Sequence, residues 1–117
     1  SLHDALPISE PFISYSELKH YIFALLNDDE QVRWFVEQYG LREQYSDYSD
    51  RQIITELGIL ALLNTEGIMT NLCFFKLVPL SNEEFDTDFF LNELRDTQSY
   101  YELKSILEKY QILVVLK

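Results

Sequence analysis

Cysteine occurs once, at Cys73. A lone thiol excludes an internal disulfide framework and a CxxC metal pair. It fits a reducing, cytoplasmic setting. Basic residues are also scarce: nine Lys and Arg stand against 20 Asp and Glu, for a formal net charge of −11. That balance repels a phosphate backbone, so nucleic acid and anionic membrane are poor partners. No apolar run approaches the ~20 residues that span a bilayer. A glycine-rich phosphate loop is missing. His20 has no second histidine one turn away, which excludes the helical zinc motif.

What is present is a hydrophobic interior in one acidic chain. The length of 117 residues suits one domain, and 47% apolar content is enough for a real core. Eight Tyr and eight Phe accompany a single tryptophan, Trp34. Each such ring buries roughly 150–250 Å². The acidity has two readings. It keeps the protein soluble, or it steers the chain onto a basic partner surface.

Periodicity predicts a mostly helical α+β fold. In FISYSELKHYIFALLN, Ser14 and Glu17 make a capping box, and Ile13 with Leu18 a hydrophobic staple. Leu18, Tyr21, Ile22, Leu25 and Leu26 share one face. DDEQVRWFVEQYG is a second helix, its acids in the first turn and Gly40 as its stop. Ser49 and Gln52 cap a third helix, DRQIITELGILALLN. Its second half is apolar all round, which predicts a central position, and Gly58 permits close helix contact. Leu72–Val78 reads as a strand. Ser81 and Glu84 cap SNEEFDTDFFLNELRD, which is one helix or a turn followed by a helix after Thr87. Ser99 and Glu102 cap the last helix, and QILVVL is a C-terminal strand. Two strands separated by a helical crossover in one sheet are expected to run parallel.

The first nine residues stand apart. Leu2–Ile8 back-translates to CTA CAC GAC GCT CTT CCG ATC. That string resembles a DNA-sequencing library adapter read in frame. Residues 1–9 are therefore expected to be a tail outside the fold, and 10–117 a single globular domain or fragment. The tail lacks the basic region and apolar stretch of a secretory signal.

Candidate chemistry is thin. Asp86 and Asp88 could hold a divalent cation, but without a phosphate partner they read as a charged first helical turn. DTDFFLNELRDT fails as a calcium loop, with Phe90 and Leu91 where an oxygen ligand and a glycine are needed. Cys73 in an apolar strand reads as a small buried hydrophobe, not as a thiolate served by His20. The third helix has no basic residue after Arg51, which excludes it as a reader of DNA base edges. No metal or cofactor is expected.

The remaining surface candidate is Tyr39, Arg42, Tyr45, Asp47, Tyr48 and Asp50. Tyrosine and arginine are enriched at protein interfaces. The competing reading folds Tyr45 and Tyr48 back onto the core. The expected function is a small, acidic, non-enzymatic binding module that docks on a basic surface of another protein, as an inhibitor or immunity-type protein would. The alternatives are an interior piece of a larger α/β enzyme, whose ligand site lies beyond its strand ends, and a purely structural helical scaffold.

Overall fold

The computed structural model describes residues 14–66, 72–81 and 86–117, and not the side chains of Cys73 and Thr87. The expected tail over 1–9, the Ile13 staple and the Glu84 half of the Ser81 capping box lie outside the described residues, as does any contact of the Cys73 thiol.

The described chain is predominantly helical with one small sheet. Helix α1 spans Tyr15–Leu26, and Ser14 Oγ accepts the Glu17 N–H at 3.2 Å. Helix α2 spans Asp29–Gln38, with Asp28 Oδ1 accepting the Gln31 N–H at 3.2 Å. Gly40 follows at φ 58°, a left-handed position that lets the chain leave the helix without a Cβ clash. A single 3₁₀ turn, Leu41–Glu43, leads on to helix α3, Asp50–Leu63. Here the capping box is complete. The Gln52 N–H reaches Ser49 Oγ at 3.2 Å, and the Ser49 N–H reaches Gln52 Oε1 at 2.8 Å.

Helix α3 is the core of the molecule, as its all-round apolar sequence predicts. Every residue from Ile53 to Leu63 is buried. It packs against α1 and α2, and against the strand and both helices that follow. Gly58 marks the tightest approach: a Cβ there would stand 2.9 Å from Ile22 Cγ2 on α1. Two cations tie helix ends into this frame. Arg51 Nη1 donates to Leu26 O at 2.7 Å, closing the end of α1. Lys19 Nζ donates to Arg95 O at 2.8 Å and also to Thr97 O. Cations at helix C-termini satisfy orphan carbonyls and complement the dipole.

Strand β1, Phe75–Pro79, begins later than the expected Leu72, because Leu72–Phe74 forms a 3₁₀ turn. Helix α4, Thr87–Arg95, is capped by Asp86. Helix α5, Tyr100–Lys109, is capped by Ser99, and strand β2 spans Ile112–Leu116. The Glu102 carboxylate reaches the Gln98 N–H at 2.5 Å, not that of Ser99, so this cap is a shifted version of the expected box.

The two strands pair antiparallel, from Phe75 opposite Leu116 to Pro79 opposite Ile112. This corrects the parallel expectation. A single helix between strands returns the chain to the start of the first strand and gives a parallel pair. Two helices, out and back, deliver it to the end it left. Leu77 and Ile112 are buried on the inner face. Leu113 remains 44% exposed on the outer face beside half-buried Val78 and Val115.

Candidate functional site

The segment 39–50 does not form one exposed patch. Tyr39 is 44% exposed and lays its ring on Phe35, with centroids 4.8 Å apart. Arg42 donates to the Tyr48 carbonyl and pairs with Asp50, so both charges serve to fold the loop. Asp47 is exposed. Tyr45 is only 4% exposed, and half-buried Tyr48 packs against it at 5.4 Å between centroids. The two tyrosines fold back on the core. Together with Asp47 they line a cavity of about 260 Å³.

The residue that defines this cavity is Glu56, which the sequence reading did not single out. Glu56 sits mid-way along α3 and is 1% exposed. Its Oε1 accepts the Leu77 N–H at 2.9 Å. A helix side chain thereby satisfies a backbone donor of β1 that the two-stranded ladder leaves over. Its Oε2 is buried and has no aligned donor among the described residues. Burial raises the carboxyl above its ordinary range, while the Leu77 N–H, the nearby Lys117, Tyr48 and Lys76 pull it back down. Burial likewise raises the Tyr48 phenol, and Glu56 adds to that rise. Lys76 and Lys117 line the same cavity, and Lys117 Nζ lies 3.8 Å from the centroid of the Tyr45 ring. One signal could have exposed Glu56: it is the single charge within the apolar run from Ile53 to Leu63.

A second surface feature lies on α2. Trp34 is 52% exposed. Glu30 precedes it by four residues and Glu37 follows it by three, so both share its face, and both are exposed. Asp28 and Asp29 extend the acidic character at the start of the same helix. An exposed tryptophan on an acidic face is not needed for packing, since α2 buries Val32, Phe35 and Val36 instead.

The other candidates have structural explanations. Asp86 Oδ1 accepts the Phe89 N–H at 3.0 Å as the cap of α4, and Asp88 faces Arg51 at 3.6 Å. His20 is exposed on α1. Among the described residues no three His, Cys, Asp or Glu side chains gather where they could hold a metal ion. Among these residues, too, no helix is long and apolar enough to cross a membrane. No family model, no curated protein and no solved structure matches the chain.

Proposed function

We propose that this chain is an acidic protein-binding module that docks on a basic surface of a partner protein through the outer face of α2. The observation that carries this reading is Trp34, half-exposed between Glu30 and Glu37. A large ring at the centre of a contact, ringed by charge, is the arrangement that concentrates binding energy. The acids at its rim complement a cationic partner and accelerate encounter. The net charge of −11 adds a long-range attraction to the same partner. Tyr39, at the end of α2, enlarges the aromatic area, while Tyr45, Tyr48, Arg42 and Asp50 act behind the surface to hold the loop that follows.

The test uses a designed tryptophan-free helix of leucines and lysines as the cationic probe. Because Trp34 is the only tryptophan, its emission reports the contact. Binding weakens as salt rises, and Trp34→Ala, followed by calorimetry because that variant has no tryptophan to report, weakens it by about tenfold or more. Reversing Glu30 and Glu37 to lysine abolishes it, whereas reversing the exposed Glu102 and Glu108 on α5 has a small effect. Equal loss from both reversals would show attraction by net charge alone and refute the α2 face.

A second reading makes the sheet part of a larger α/β enzyme. The half-exposed apolar residues on the outer face of β2 favour it. The antiparallel pairing weighs against it, because doubly wound sheets are mostly parallel.

A further inference from the structure

The two-stranded sheet has two edges, and the chain treats them differently. Lys117 N–H donates to Phe74 O, and Leu80 N–H to Gln111 O, each at 2.8 Å. With the one-to-one register between them, these end bonds fix the alternation of the ladder. Lys76 bonds across to Val115, and Val78 to Leu113. Phe75, Leu77 and Pro79 therefore turn their backbone groups to the outer edge of β1. Ile112, Val114 and Leu116 turn theirs to the outer edge of β2.

The β1 edge is closed. Glu56 Oε1 takes the Leu77 N–H at 2.9 Å, and Pro79 has no N–H to offer. A covering side chain and a proline both prevent an edge from recruiting another strand. The β2 edge has neither. Its sequence, ILVVL, contains no proline and no charge. Among the described residues, the N–H groups of Ile112, Val114 and Leu116 have no hydrogen-bond partner. Leu116 shares the inner face with Leu77 and Ile112, yet it is 69% exposed.

Symmetry and charge name the occupant. Three outward residues centred on Val114 are self-complementary. A second β2, turned about a two-fold axis at Val114, sets Ile112 opposite Leu116 and Val114 opposite itself. All three N–H and all three C=O groups of each copy then find partners. Copies of a chain with net charge −11 repel one another. Residues 72–81 and 110–117 contain Lys76 and Lys117 and no acid, so the acids of two copies stay furthest apart when they meet there.

We infer that a second copy of this chain pairs with β2, antiparallel about Val114, and joins the two small sheets into one of four strands in the order β1, β2, β2, β1. A two-stranded ribbon is marginal in water, whereas a sheet of more strands with an apolar face is stable. The pairing lays Leu113 beside Val115 of the second copy on the outer face, and Leu116 beside its Ile112 on the inner one. The edges that remain are the two β1 edges, closed by Glu56 and Pro79. The assembly therefore stops at two copies and does not grow into a fibre.

Sedimentation of the full chain over a range of concentrations tests the inference. The mass rises to twice that of one chain as concentration increases. Salt favours the dimer, because screening relieves the repulsion between copies. Salt has the opposite effect on the leucine–lysine helix at α2, so the two interfaces fail separately. Leu116→Lys and Val114→Pro each weaken self-association by about tenfold or more, since the two-fold axis doubles every loss. Proline at 114 spares the ladder to β1, because that N–H faces away from it. Circular dichroism verifies that both variants are folded. Leu80→Lys, at an exposed position beyond the end of β1, leaves association unchanged. In an isotope-filtered spectrum of the dimer, the Hα of Leu113 contacts the Hα of Val115 of the second copy. A single-chain mass at every concentration overturns the inference. So does a dimer that Leu80→Lys breaks while Leu116→Lys and Val114→Pro leave it intact.

Discussion

Glu56 shows how a single side chain links stability to pH. Its carboxyl is raised above the ordinary value of 4.5 by burial. The folded state therefore holds its proton to higher pH than the unfolded chain does. The stability this adds is fully present below the unfolded value and is lost as pH rises through the folded one. Glu56→Gln removes the titration. The stability of the parent relative to Glu56→Gln is thus greatest in acid and declines as pH increases. Urea unfolding of both chains across acidic to neutral pH measures this, and a constant difference would contradict it. Gly58 works at the same scale by steric means. Gly58→Ala gains up to about 1 kcal/mol of helix propensity. It also drives a methyl group to 2.9 Å from Ile22 Cγ2, part of a stiff β-branched side chain that is 2% exposed. Overpacking of that kind costs about 1–3 kcal/mol. The expected net result is a loss of about 1 kcal/mol, seen as a lower urea midpoint. A gain in stability would refute the close packing.

At the scale of elements, most of the secondary structure was legible because its signals are local. Ser14, Asp28, Ser49 and Ser99 each cap the helix they precede. These contacts span three residues, well within reach of a sequence pattern. Ser49→Ala tests the most complete of them. It removes the acceptor for the Gln52 N–H at the entry to the central helix, and a loss of about 1 kcal/mol is expected in thermal or urea unfolding. No change in stability would mean that tertiary packing alone holds that end. The strand pairing was not legible in the same way. Its direction depends on whether one helix or two intervene, and the segment from Ser81 to Asp96 reads equally well either way. The Glu56–Leu77 contact was hidden for a related reason: it joins residues 21 apart in sequence, and no local pattern announces it. A lone acid in an apolar helix was its only trace.

For the molecule as a whole, charge and fold divide the work. The apolar rows of α1, α2, α4 and α5 converge on α3, and nearly all the described acids are left outside. Composition predicted the acidity, but not where it matters. Of the six residues singled out in the 39–50 loop, Tyr45 is buried, and Arg42 and Asp50 hold one another. Tyrosine can face either way, and the choice was made by tertiary packing around Lys117 and Glu56. Trp34 was passed over because it sits outside the buried stripe of its own helix. The most direct test of the docking account is amide chemical-shift mapping during titration with the leucine–lysine helix. The account predicts that the largest changes cluster on residues 30–39, together with the Trp34 indole N–H. Changes centred on α5 or spread evenly over all acidic surfaces would contradict it.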